Sequence, residues 1–182
     1  MTDLGDPALL LPSCVILFLA LLATRQRVAA RGWALSIALC IAAVVVAKIG
    51  FEAWGGRIPT LHIHSPSGHI ALSTTFYGGV AILFGNRRPL ALRLAAWLFA
   101  LTVVVAIAIT RLLLHLHTPQ EVAVAFIIGG GGLGFLTVRR NWAEPVALPW
   151  TGLACLFAVL VFVAHGHDLT AEPELIHFAR QL

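Results

Sequence analysis

Residues 90–110 read LALRLAAWLFALTVVVAIAIT, and from Ala95 to Ile109 the run carries no charged side chain. About 20 apolar residues wound at ~1.5 Å per residue cover the ~30 Å hydrocarbon core of a bilayer. Five more apolar runs of comparable length accompany it, at 8–24, 33–54, 69–85, 119–138 and 146–164. The pattern predicts an all-α, polytopic membrane protein, a bundle of six transmembrane helices. Composition agrees, since 59% of the 182 residues are hydrophobic and 11% are charged, more apolar surface than one water-soluble core of this length can hide. A cytosolic enzyme, a DNA-binding domain and a disordered regulator are thereby excluded. The net charge of +4 lies in short clusters between the apolar runs and not on one basic face, so no nucleic-acid partner is expected.

Those clusters set the expected orientation, because Lys and Arg in short loops are retained on the cytoplasmic side. One side collects Arg25, Arg27, Arg31, Arg87, Arg88, Arg139 and Arg140, with Arg93 just inside the next helix. The other holds Lys48, Arg57, Arg111 and Arg180. Both termini are expected outside, on the periplasmic side of a bacterial inner membrane. Short loops mark no second domain, so 1–182 is read as one membrane-embedded domain. The N-terminus, with Asp3 and Asp6 and no basic residue, does not open like a secretory signal. The tail 165–182 is expected outside, with 174–182 either an interfacial helix or a surface tail. Cys14, Cys40 and Cys155 lie within apolar runs and read as small core hydrophobes.

All eight histidines, at 62, 64, 69, 115, 117, 165, 167 and 177, fall at outward ends of this map. Ser65-Pro66-Ser67-Gly68-His69 reads as a helix start, with Ser65 as N-cap and Pro66 at the first helical position. Such an end offers backbone N–H groups and a positive dipole to a phosphate, and Gly68 permits close approach; an ordinary cap is the competing reading. Thr118-Pro119-Gln120-Glu121 fits a capping box, which gives Glu121 a structural job. Glu121 also stands at i+4 from His117, where it can orient the imidazole. Arg111 reads as either a snorkelling residue or an anion ligand. Lys48, inside an apolar run, reads as either a functional charge or the partner of Glu52 in an intrahelical ion pair. Gly129 to Gly132, with Gly134, read as a surface for close helix packing.

Pro66-Ser67-Gly68-His69, followed by Thr110-Arg111, five residues, His117, three residues and Glu121, resembles the second and third signatures of the type 2 phosphatidic acid phosphatase superfamily. That family includes six-helix membrane lipid phosphatases, and the likeness spans about residues 48–121. The family usually has Ser at the place of Thr110 and Asp at the place of Glu121. Its first signature, Lys, six residues, Arg-Pro, is stretched here to Lys48, eight residues, Arg57, with Ile58 before Pro59. The resemblance implies that His117 attacks phosphorus, Glu121 orients it and His69 protonates the leaving oxygen. It implies that Lys48, Arg57, Ser67, Gly68 and Arg111 hold the phosphoryl oxygens. Fixed cations then do the work of a metal, and neither metal nor other cofactor is expected. The expected partner is a lipid phosphate or diphosphate held in the bilayer, of the phosphatidate, phosphatidylglycerophosphate or polyprenyl type.

Three other readings compete, one of them a catalytically dead relative serving as a scaffold, which the stretched first signature keeps open. A lipid phosphotransferase has the same site and hands the phosphoryl group to another hydroxyl. A membrane metal- or haem-binding protein is suggested by the His-x-His pairs 62/64, 115/117 and 165/167, although their spacing fits no standard zinc pattern. His62, His64 and His115 border the motifs and read equally as headgroup selectors or interfacial polar residues.

Overall fold

The computed structural model describes residues 2–54, 65–138 and 146–164. A short 3₁₀ turn, Thr2–Gly5, leads into six α-helices: α1 (Pro7–Ala23), α2 (Arg27–Trp54), α3 (Gly68–Gly85), α4 (Leu90–Leu113), α5 (Pro119–Val138) and α6 (Trp150–Ala164). No strand occurs among the described residues. Four helices, α2 to α5, are long and apolar enough to cross a membrane, while α1 and α6 are shorter apolar helices. Leu98, Phe99, Ile127 and Phe162, each at least 64% exposed, belong to an apolar belt suited to lipid contact.

Helix α3 is the axis of the bundle: 72% of it is buried, against 22–33% for the other three long helices. Its sequence explains the position. Ser73, Thr74, Thr75, Gly78 and Gly79 form a run of small side chains, which lets neighbouring backbones come close where water is not present to drive association. A Cβ on Gly79 would lie 2.6 Å from the Trp33 ring of α2, and one on Gly78 would meet Leu133 of α5 at the same distance. Trp33 is buried and donates its indole N–H to the Cys14 carbonyl of α1 at 3.0 Å. Cys14 and Cys40 are core residues as expected, whereas Cys155 is exposed on α6.

The glycine-rich stretch of α5 divides by helical periodicity. Gly129 and Gly132, three residues apart and so on one face, meet α3 and α2, while Gly130, Gly131 and Gly134 have open space at their Cα atoms. Thr75 donates to the Gly129 carbonyl at 3.2 Å and Ser36 to the Gly132 carbonyl at 2.7 Å. A Cβ on Gly129 would lie 2.6 Å from the Thr74 Cβ and 2.7 Å from the Ala71 carbonyl oxygen, a backbone atom that cannot swing away. Gly129→Ala is therefore expected to cost about 1–3 kcal/mol through forced separation of α3 and α5. Gly130→Ala is expected to be neutral or slightly stabilising. Thermal unfolding of the two variants in detergent checks the contrast.

The starts of α1, α3 and α5 gather at one end of the bundle. Asp6, before α1, faces His69 of α3, and Ser65, before α3, bonds Glu121 of α5. At the opposite end Gln26 donates to the Ala147 carbonyl at 3.0 Å, and Phe84 of α3 meets Trp150 of α6 edge-on. An apolar cleft lined by Ser13, Leu17, Phe76, Tyr77, Trp150 and Phe157 opens between α1, α3 and α6, and no histidine lines it.

Candidate active site

The site begins with the first turn of α5. Thr118 and Glu121 form the expected capping box: the Glu121 N–H donates to Thr118 Oγ1 at 3.3 Å, and the Thr118 N–H donates to Glu121 Oε2 at 3.0 Å. That same Oε2 lies 3.0 Å from His117 Nδ1, so the carboxylate holds its capping and its orienting contacts at once. The other oxygen, Oε1, accepts the Ser65 N–H at 3.0 Å. One carboxylate, 4% exposed, thus joins His117 to the segment that opens α3.

These contacts fix the proton on His117. An ionised carboxylate only accepts, and this one already takes two backbone N–H groups, so Nδ1 is the donating nitrogen. Nε2 then carries the lone pair. His117 is half-buried and its ring is held from one side, which leaves Nε2 in a fixed direction.

Helix α3 starts later than the sequence suggests. The N-cap is Ser67, with the helix beginning at Gly68, so neither Ser65 as N-cap nor Pro66 as first helical residue holds. Ser65 gives its N–H to Glu121 across the bundle, and this long-range bond keeps 65–67 extended. Ser67 makes no side-chain capping bond. The Oγ atoms of Ser65 and Ser67 are both buried without a hydrogen-bond partner among the described residues. First-turn N–H groups, the positive end of the helix dipole and two hydroxyls therefore converge beside His69, a set suited to an anion.

The cations approach from α2 and α4. A Cβ on Gly68 would touch Val44 of α2 at 3.5 Å, and Lys48, four residues on, lies on the same face one turn beyond the α3 start. Helix α2 runs on past Lys48 to Trp54. Arg111 stands in the last turn of α4, one turn beyond Ile107, which packs against Gly5 beside Asp6. Its Nε is buried. Ser67, Gly68, His69, Arg111, His117 and Glu121 are therefore brought to one end, and Lys48 lies one turn of α2 beyond the Val44 contact with Gly68. Arg57, the side chain of Glu52, Gly55-Gly56, and His62, His64, His165, His167 and His177 lie outside the described residues, as does the helix expected at 174–182.

His115 has a backbone explanation. Its φ of 54° is that of the left-handed residue closing a helix, with the His115 N–H bonded to the Leu112 carbonyl and the Leu116 N–H to that of Arg111. The side chain is exposed. His115→Gly is expected to raise stability by a few tenths to about 1 kcal/mol and to leave activity within about twofold, as thermal unfolding and turnover measured together will show.

Asp6 joins the site without a motif to mark it. Its Oδ2 lies 3.8 Å from His69 Nε2, and its Oδ1 accepts the Ala8 N–H at 2.7 Å as N-cap of α1. Asp6-Pro7 shares its cap-then-proline grammar with Thr118-Pro119, the one sequence signal that sets it at the same end. Among the described residues no group of three or more His, Cys, Asp or Glu is placed to hold a metal.

A helical bundle of membrane type with histidines, carboxylates and a helix start suited to an anion at one end defines the class. The comparisons give the family. Residues 54–145, half of the chain, match the model of the PAP2 superfamily. Over 176 residues the chain is 32% identical to an "Uncharacterized 22.5 kDa protein in cps region" of Klebsiella pneumoniae, covering 94% of this chain and 84% of that protein. The chain belongs to the PAP2 superfamily, whose members are phosphatases acting on phosphate esters. No solved structure matches it. The matched range includes both histidine motifs and Arg57, and begins after Lys48.

Proposed function

We propose that the protein is an integral membrane lipid phosphatase that works through a phosphohistidine and needs no metal. The observation that carries this reading is the Glu121 carboxylate, which ties His117 Nδ1 and the Ser65 N–H together and so aims a nucleophile at an anion-binding helix start. In the first step His117 Nε2 bonds to phosphorus as the bond to the ester oxygen breaks, and His69 gives its proton to that oxygen, releasing the lipid alcohol. In the second, water attacks the phosphohistidine while His69 takes back a proton, releasing inorganic phosphate and restoring His117. Lys48, Arg57, Arg111, the Ser67 hydroxyl and the amides near Gly68 hold the equatorial oxygens, where charge builds in the transition state.

The substrate is a phosphate or diphosphate on a membrane lipid, because the site sits at the end of helices whose flanks are apolar. The Arg distribution orients this end outward, to the periplasm of a bacterial inner membrane, with six spans in one domain and both termini outside. Phosphate release by detergent-purified protein in excess chelator, across lipid monophosphates and diphosphates and beside His117→Ala, tests the proposal. Chelator-resistant release that disappears in the variant supports it. Release that requires added metal, or that survives His117→Ala, contradicts it. Transfer of the phosphoryl group to an added lipid alcohol in place of water would favour the phosphotransferase reading.

A further inference from the structure

The first residues of the chain run along one stripe of α3 that ends at the site. Tyr77 donates its hydroxyl to the Leu4 carbonyl at 2.8 Å. Gly5 presses on Ser73, where a Cβ would stand 3.2 Å from Oγ, and on Ile107 of α4 at 2.9 Å. Asp6 faces His69 at 3.8 Å. Residues 77, 73 and 69 are spaced four apart on one helical face, so the N-terminal segment packs along that face and brings its carboxylate to the imidazole. A side chain at Gly5 would have to displace the Ile107 side chain of α4.

Asp6 is 4% exposed, and a buried carboxylate demands partners for its charge. Its two oxygens serve different partners, Oδ1 capping α1 and Oδ2 turning to His69. Capping alone does not require a charge, since Asn and Ser cap a helix about as well. We infer that Asp6 is a positioning residue for His69, as Glu121 is for His117, holding from its Nε2 side the ring that protonates the leaving oxygen. The 3.8 Å separation is an ion-pair distance. This inference rests on the proposed phosphatase chemistry.

Asp6→Asn separates the two jobs, because it keeps the cap and the volume and removes the charge. On a lipid alkyl phosphate the variant is expected to lose about 10- to 100-fold in kcat with KM within about twofold and an unchanged unfolding temperature. On an alkyl-substituted nitrophenyl phosphate, whose leaving oxygen needs no proton, the loss should shrink to within about threefold. Tyr77→Phe, which keeps the Asp6 carboxylate but loosens the segment that holds it at Leu4, should show the same selective loss on a smaller scale. Equal activity of Asp6→Asn and wild type on the alkyl phosphate overturns the inference, as does an equal loss on both substrates, which marks a purely structural role. Those outcomes leave the phosphatase reading intact. A wild-type protein that releases no phosphate from either ester overturns both.

Discussion

His117→Ala is expected to lower phosphate release by on the order of 10⁴-fold or more while the protein stays folded. The imidazole is half-buried at the end of the α4–α5 connection, and its truncation removes one hydrogen bond to Glu121 without opening the core. The carboxylate retains the Ser65 and Thr118 N–H groups, so the junction of α3 and α5 survives. Substrate binding should persist as well, because the helix start and the cations are untouched. The effect therefore falls on kcat and spares KM, and a steady-state comparison with a folding check by circular dichroism separates the two.

Glu121→Gln should cost about 10²- to 10⁴-fold in kcat, and unlike His117→Ala it should also cost stability. An amide offers one acceptor oxygen where the carboxylate has two, yet three N–H groups converge on residue 121. If the amide nitrogen faces His117, it donates to Nδ1, forces the proton to Nε2 and blocks attack. If it faces Ser65, a buried N–H meets another donor, at a cost of about 1–3 kcal/mol. Either orientation damages one of the two roles. A variant that keeps wild-type turnover and melting temperature would show that the contacts of Glu121 are incidental.

The parts of this site that are local in sequence are readable from it, and the parts that join distant segments are not. Thr118-Pro119-Gln120-Glu121 declares its capping box because all the partners lie within one turn. Helix α5 begins and ends where the apolar run does. Sequence pattern sets the N-cap of α3 two residues too early, at Ser65 instead of Ser67, because what holds Ser65 outside the helix is a bond to a residue 56 positions away. The pairing of Asp6 with His69 is illegible for the same reason: cap-then-proline grammar sets Asp6 at this end, but its partner is on another helix, reached through the packing of Gly5 and the Tyr77 tether. Among the glycines of α5, composition marks the whole run, but helical periodicity restricts close packing to Gly129 and Gly132. The motif resemblance names the reacting residues; the structure adds the carboxylate that connects two of those motifs.

That connection has a mechanistic corollary. Because Glu121 occupies Nδ1, the proposed mechanism places the phosphoryl group on Nε2. A rapid-quench incubation with a ³²P-labelled lipid phosphate, followed by alkaline digestion and chromatographic separation of the two phosphohistidine isomers, measures this directly. The expected result is an acid-labile, alkali-stable label on His117 in the Nε2 form. Label on Nδ1, label on another residue, or no labelled protein at any time during turnover would contradict the mechanism.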